Sequence, residues 1–253
     1  MIAEHRNLIV DLKSAVGEMY VVHEPDDLIV YEYDGSVDRA LPVAVVLPAT
    51  TEEVSQVVRT ARRHGVSIVA RGAGTGLSGG AIAHEGGIVI ALTRMTRILD
   101  VDDDNRVAIV EPGVVNIDLS HAVEKYGLYY APDPSSQKVC TIGGNVAENS
   151  GGPHCLAYGV TTNHVLGIEV VAADGSVQWL GGSTREALGY DLRGVVVGSE
   201  GTLAIVTKVA VRLLRKPEAV KTLLAVFEEL DHASAAVSGI IGAGIVPAAL
   251  EMM

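Results

Sequence analysis

Apolar residues recur along the chain with two different periods, and the change from one to the other divides it. Residues 1–24 set Leu8, Val10, Leu12, Val16 and Met19 among charges, which predicts a helix, and 25–38 read as a polar connection. The run 43–47 predicts a short strand. Thr50 then offers an N-cap hydroxyl with Glu53 three residues on, and Val54, Val57, Val58 and Ala61 follow at helical spacing toward Gly65, so an amphipathic helix is expected there. β-branched runs at 66–70 and 88–92 predict two more strands, with no room between them for a crossover helix.

From about residue 107 the texture changes to short strands and turns. Strands are expected at 107–110, 167–172, 176–180, 195–197 and 203–214, with Asp174 and Gly175 as a hairpin turn and a helix over 118–126 ended by Gly127. Beyond Lys216 and Pro217 a further unit begins, with a strand over 222–227, a helix over 231–242 and another strand starting at Ile245. The sum is α+β. An N-terminal helix and connection (1–41) precede a domain of two subdomains (42–100 and 101–216), and 217–253 is the start of another unit with too few elements to close a core, expected to be mobile or to mediate aggregation. The charge-free run 233–250 is interrupted by Gly239, Gly242, Gly244 and Pro247, which favours a core helix and turn over a membrane span.

The chemistry is carried by glycine. Residues 71–80 hold five glycines in ten positions directly after a predicted strand, a composition that lets backbone N–H groups close around a diphosphate. Gly74, Gly76 and Gly79 match the dinucleotide pattern G-x-G-x-x-G, but the helix that should follow is missing, and Asp100, at a suitable distance for a ribose-binding acid, follows no predicted strand. A second cluster, 131–136 with 141–145 and 149–152, and a third loop, 198–202, present small polar groups and backbone together. Three such loops imply a cofactor, and the second cluster suits a flat heteroaromatic ring.

The net charge of −12 argues against nucleic acid or an anionic membrane as partner and leaves a small molecule or another protein. The N-terminus lacks the organisation of a signal peptide, so a cytoplasmic setting is expected. Cys140 and Cys155, the two cysteines, are then thiols and read as small buried hydrophobes; two cannot hold an iron–sulfur cluster, so electrons would travel through an organic cofactor.

Five segments, 69–80, 130–136, 142–149, 151–155 and 197–202, together closely resemble the FAD-linked oxidase family that is related to vanillyl-alcohol oxidase and p-cresol methylhydroxylase and includes flavin subunits of bacterial glycolate oxidases. The resemblance runs over roughly 25–253, and D-lactate and D-2-hydroxyglutarate dehydrogenases share its motifs. It implies a two-subdomain FAD-binding domain of the p-cresol methylhydroxylase type, followed by the start of an α+β substrate domain. It implies that Arg71, Gly72, Ala73, Gly74, Thr75, Gly76, Leu77, Ser78 and Gly79 wrap the FAD diphosphate. Pro132, Ser135, Ser136, Thr141, Gly143, Gly144, Asn145, Gly151 and Gly152 would line the path of the isoalloxazine, ribityl and diphosphate, and Glu200, Gly201 and Ile205 would approach the adenosine side. The first loop contains no histidine, so the FAD is expected to be noncovalent.

The implied reaction is oxidation of a 2-hydroxy acid, glycolate or D-lactate, by hydride transfer to flavin N5. The implied partners are iron–sulfur and second flavin-domain subunits of a glycolate oxidase complex, through which the chain would lie at the inner membrane. Family members carry their metal-and-base histidines in a segment beyond this length, so no catalytic or metal residue is assigned, and the chain is expected to hold the FAD-binding half, either of an oxidoreductase subunit or of a noncatalytic module needing a second chain. His154 is expected to pack or to satisfy a backbone carbonyl, His64 and His121 to lie on the surface, and Tyr129, Tyr130 and Tyr158 to be buried or to shield the ring.

Overall fold

The computed structural model describes residues 5–84, 86–182 and 189–252. Residues 1–4 of the predicted first helix lie outside this range. Helix α1 (Arg6–Val16) buries Leu8, Leu12 and Val16, and Gly17, at φ +92, stops it well before residue 24. The chain then turns into β1 (Val21–Val22), and the expected connection begins with a single helical turn, α2 (Pro25–Leu28). Strand β2 (Ala44–Val46) precedes α3 (Thr51–His64), where the anticipated cap is formed: Glu53 N–H donates to Thr50 Oγ1 at 3.2 Å, and Glu53 Oε2 accepts from Ala49 N–H at 2.7 Å. Strands β3 (Ile68–Arg71) and β4 (Ile88–Ala91) complete a sheet of order β1-β2-β4-β3, in which β2 and β3 run parallel to β4.

The second sheet is antiparallel. It begins with β5 (Ile98–Asp102), absent from the expected elements, and β6 (Val107–Val110). Asp100 lies within β5 opposite Ile109, away from the glycine loop's sheet. There follow α4 (Asn116–Val123), prolonged by a tight turn to Tyr126, then β7 (Leu128–Tyr129), α5 (Ile142–Glu148), α6 (Cys155–Tyr158), β8 (Val165–Ala172), β9 (Val177–Gly181), α7 (Leu192–Val196), β10 (Ala204–Arg212), β11 (Leu214–Arg215) and α8 (Leu230–Gly242). The order is β5-β6-β10-β8-β9, with β7 and β11 forming a separate pair.

Three expected strands are not formed. Residues 195–197 fall at the end of α7, because Asp191 accepts from Gly194 N–H at 3.0 Å and caps a short helix that the valines alone do not announce. Residues 222–227 and those from 245 onward have no partner strand among the described residues and are largely exposed, Leu223 at 94%.

Each sheet has its own apolar core. The first gathers Leu12, Val57, Ile88 and Ile90; the second gathers Leu119, Ile142, Ile168, Val209 and Leu213. Val171 of β8 and Ile205 of β10 belong to the first core although their strands belong to the second sheet. Polar contacts follow the same route. Ser55 Oγ and Arg59 Nη2 of α3 both donate to the Gly175 carbonyl at the β8–β9 turn, at 2.6 and 3.0 Å, and Thr51 Oγ1 donates to Glu169 Oε1 at 2.6 Å.

Ile168 is fully buried in the second core, so Ile168→Ala is expected to lower stability by about 2–5 kcal/mol in urea denaturation. Ser55→Ala, which removes one bond between α3 and the hairpin, is expected to lower it by about 1 kcal/mol in the same assay.

Candidate functional site

The end of β3 delivers the chain into residues 72–80, which curve around a cleft of about 470 Å³. Gly74 sits at φ +69, and a Cβ there would meet Arg71 Nη2 at 2.3 Å. The Arg71 side chain therefore lies directly behind Gly74, under the loop. Its Nη1 donates to the Tyr33 carbonyl at 2.8 Å and to the Ala81 carbonyl at 3.4 Å. Burial draws its pKa down, with Asp34 opposing. Asp34 itself is buried, which favours its neutral form, but bonds from the Ser36 and Ala81 N–H groups outweigh this and keep the carboxyl below its ordinary range. Gly35 N–H also donates to the Gly76 carbonyl at 2.9 Å. The segment read as a polar connection thus props the loop from behind. The signal available for it was the Asp34, Gly35, Ser36 turn.

The opposite wall is α5, which the sequence reading treated as loop. Gly144 N–H donates to Thr141 Oγ1 at 3.4 Å and caps it. Gly72 faces this cap so closely that a Cβ would lie 2.4 Å from Thr141 Oγ1, and a Cβ on Gly143 would lie 2.5 Å from Pro112 Cβ. At Gly143 the helix passes where only glycine fits. Asn145, 2% exposed, lines the cleft; among the described residues its buried Nδ2 has no hydrogen-bond partner beyond the weak one offered by the neighbouring Cys140 sulfur, a thiol whose pKa is raised by burial.

Of the anticipated residues, Gly72, Ala73, Gly74, Thr75, Gly76, Leu77, Ser78, Ser135, Ser136, Thr141, Gly144, Asn145, Glu200 and Gly201 line this cleft. Arg71, Gly143 and Ile205 line a smaller cavity of about 50 Å³ that shares Gly72 and Thr141 with it. Pro132, Gly79, Gly151 and Gly152 line neither. Pro132 is buried with its carbonyl held by Asn116 Nδ2 at 3.0 Å, and Gly152 packs against Asp133.

Glu148, the last residue of α5, was not anticipated. Ser78 Oγ donates to both its carboxylate oxygens, at 3.3 and 3.2 Å, across the cleft. Burial and then the nearby Glu200 raise its pKa, although the Ser78 bond opposes them. Glu200 adopts φ +54, and its N–H donates to the Ala147 carbonyl at 2.9 Å, which ties the third loop to the end of α5. Had 142–148 been read as helix, the i+3 and i+4 spacing from Asn145 and Gly144 would have set Glu148 on the same face.

Nearby, His154 Nδ1 lies 2.5 Å from Asp133 Oδ2, and its ring stacks on Tyr158 at 6.1 Å. It packs, as one of the two expectations had it, but its polar partner is a carboxylate and not a backbone carbonyl. Tyr129 meets Tyr158 edge-on, and burial followed by that contact raises its phenol pKa. His64 is half-buried and bonds Asp11 at 2.9 Å, whereas His121 is exposed. Cys140 is buried and Cys155 is half-buried, accepting from Gly152 N–H; both are free thiols.

A cleft with glycine backbone on one side, a buried amide on the other, and neither Lys nor Arg among its described lining residues suits a ligand held by N–H groups and hydroxyls. A dinucleotide diphosphate with a polar-edged ring fits that description.

Comparison with known proteins agrees. The family model described as FAD binding domain matches residues 42–181, and that described as FAD linked oxidases, C-terminal domain, matches 216–253. The chain is 48% identical over 227 residues to the Glycolate oxidase subunit GlcD of Bacillus subtilis, which covers 89% of this chain and 48% of that protein. It is 39% identical over 238 residues to a D-lactate dehydrogenase of Archaeoglobus fulgidus, covering 92% and 53%. The solved structure of p-cresol methylhydroxylase shares the fold, with a TM-score of 0.82 at 23% identity over 95% of this chain and 49% of that one. The chain spans about half the length of the curated relatives it matches. With its glycine loops carried on this two-sheet fold, the chain belongs to the FAD binding domain family of the FAD-linked oxidases, and FAD is its cofactor.

Proposed function

We propose that this chain is the FAD-holding part of an oxidoreductase that converts a 2-hydroxy acid to the 2-oxo acid, with glycolate as the first candidate substrate and D-lactate as the second. The observation that carries the placement of the cofactor is the cleft between the glycine loop and α5, with the Asn145 amide buried in its wall. The substrate class is supported by the relatives named for glycolate and D-lactate.

When bound, FAD supplies an electron sink that accepts hydride from the substrate's Cα at N5. The chain's own residues bind and orient it. Backbone N–H groups of 72–79, with the Thr75 and Ser78 hydroxyls, hold the diphosphate. Ser135, Ser136, Thr141, Gly144 and Asn145 lie along the ribityl and ring path, with Asn145 Nδ2 as a donor to the ring edge. Pro132, Gly143, Gly151 and Gly152 shape that wall from behind, and Glu200, Gly201 and Ile205 form the adenosine side. Arg71 fixes the loop through the carbonyl contacts of its Nη1, and its Nη2 lies directly behind Gly74. No residue here is assigned the roles of base for the hydroxyl proton or of cation for the substrate carboxylate.

The attachment is noncovalent, and the electrons pass to an iron–sulfur partner subunit in a cytoplasmic complex that also includes a second flavin-domain subunit. Association with the inner membrane would come through those partners; among the described residues no helix is long and apolar enough to cross a membrane.

Acid precipitation of the yellow protein is expected to leave the flavin, absorbing between ~350 and ~500 nm, in the supernatant; colour retained in the pellet would show a covalent link. Asn145→Ala is expected to weaken FAD binding about tenfold in a fluorescence titration, the loss of one buried hydrogen bond. The substrate class is tested in the enzyme assembled from this chain and its partners. Anaerobic bleaching of the flavin by glycolate or D-lactate is expected, and bleaching by a 4-alkylphenol alone would overturn the reading.

A further inference from the structure

The glycine loop is already touched by a carboxylate of the chain itself. Glu148 reaches from the end of α5 into the curve of the loop, where Ser78 Oγ donates to it and where Cβ atoms placed on Gly76 and Gly80 would lie 3.3 and 3.1 Å from its Oε1. The same point on Gly80 lies 3.4 Å from Glu200 Oε2. Two carboxylates therefore share the place where loop N–H groups would meet a diphosphate. The groups facing Glu148 are Ser78 from the loop, Glu200 from the third loop and Asp34 from the segment behind. No Lys or Arg is among the described residues lining the cleft, and the Arg71 guanidinium is engaged by the Tyr33 and Ala81 carbonyls.

A diphosphate entering this cleft meets two carboxylates, while the nearest cation, Arg71, lies behind Gly74 beside Asp34 and lines only the adjoining cavity. We propose that Glu148 couples cofactor loading to protonation: the FAD diphosphate seats in the glycine loop with the Glu148 carboxyl neutral, so that about one proton is taken up for each FAD bound. The proton comes from solvent and goes to the Glu148 carboxylate. The carboxyl O–H becomes a donor toward the phosphate, and the Ser78 hydroxyl, released from its bond to the carboxylate, turns to a phosphate oxygen. Glu148 is the member of the pair placed inside the loop, and its burial and the neighbouring Glu200 already favour the neutral form. This inference rests on the placement of the diphosphate proposed above.

Because the protonated form is the one that binds, affinity is flat below the Glu148 pKa of the free chain. It falls as pH rises through that value, by about tenfold per pH unit, and levels off above the pKa in the complex. The test is FAD affinity by quenching of flavin fluorescence between ~pH 5 and ~pH 8, for the chain and for Glu148→Gln. The expected result is a declining affinity for the natural chain and a nearly flat profile for Glu148→Gln, which binds more tightly at the upper end.

Calorimetry of the unaltered chain, at a pH on the declining part of its affinity profile and in two buffers of different ionisation enthalpy, counts the protons without any variant, and about one taken up is expected there. A count of zero, or equal slopes for the two proteins, would overturn the inference while leaving the cofactor site intact. So would a pH dependence abolished by added Mg²⁺, since a metal ion would then be the neutralising charge. Failure to bind FAD at any pH would remove the placement of the cofactor, and this coupling with it.

Discussion

The contact between Gly72 and Thr141 sets the geometry on which the cleft depends. It brings the end of a parallel strand against the cap of a helix from the other sheet, at a separation that leaves no space for a single methyl group. Gly143 against Pro112, beside the adjoining cavity, and Gly152 against Asp133 repeat the condition behind it. Where two segments approach this closely the surface between them is backbone, and a cleft of backbone can offer N–H groups to a ligand without reaching for it with side chains. A Cβ at these points would push the walls apart, and the usual penalty for overpacking, about 1–3 kcal/mol, would come with a displaced ligand surface.

That contact persists because the two sheets are not independent bodies. Val171 and Ile205 give the second sheet a share of the first sheet's core, and α3 grips the β8–β9 turn through the Gly175 carbonyl. Glu169 stands at this seam. Burial alone would favour its neutral form, but bonds from Thr51, Lys208 and Thr207 outweigh it and hold the carboxyl below its usual range. The seam lets a loop from one sheet and a helix from the other act as the two jaws of one site.

How much of this was legible in the sequence followed from how local each determinant is. Helix α3 could be read from Thr50, Glu53 and the spaced valines because its cap and its stripe lie within one segment. The glycine loop and the Asp174, Gly175 turn could be read for the same reason. Helix α5 could not: two adjacent glycines each lower helix propensity by about 1 kcal/mol relative to alanine, and what demands Gly143, the close approach of Pro112, lies far away in the chain. Missing the helix hid Glu148, whose relation to the loop exists only on that helical face. The valines at 195–197 misled in the opposite sense, since β-branched residues favour strands while a cap at Asp191 governs the backbone locally. The carboxylate partner of His154 was equally hidden, because Asp133 belongs to a different loop.

The position of Arg71 bears on how readily the site accepts its ligand. An arginine at the foot of an anion loop invites the role of counter-charge, yet here it is bonded to two carbonyls and lies beneath the loop. The curvature of residues 72–80 is thereby fixed by internal bonds that do not involve the ligand. Much of the ordering that flexible loops undergo when they close on a nucleotide has then been completed during folding, so less of the association free energy is offset by lost conformational entropy. A buried cation bonded beneath the loop can strengthen phosphate binding by making the loop rigid in advance.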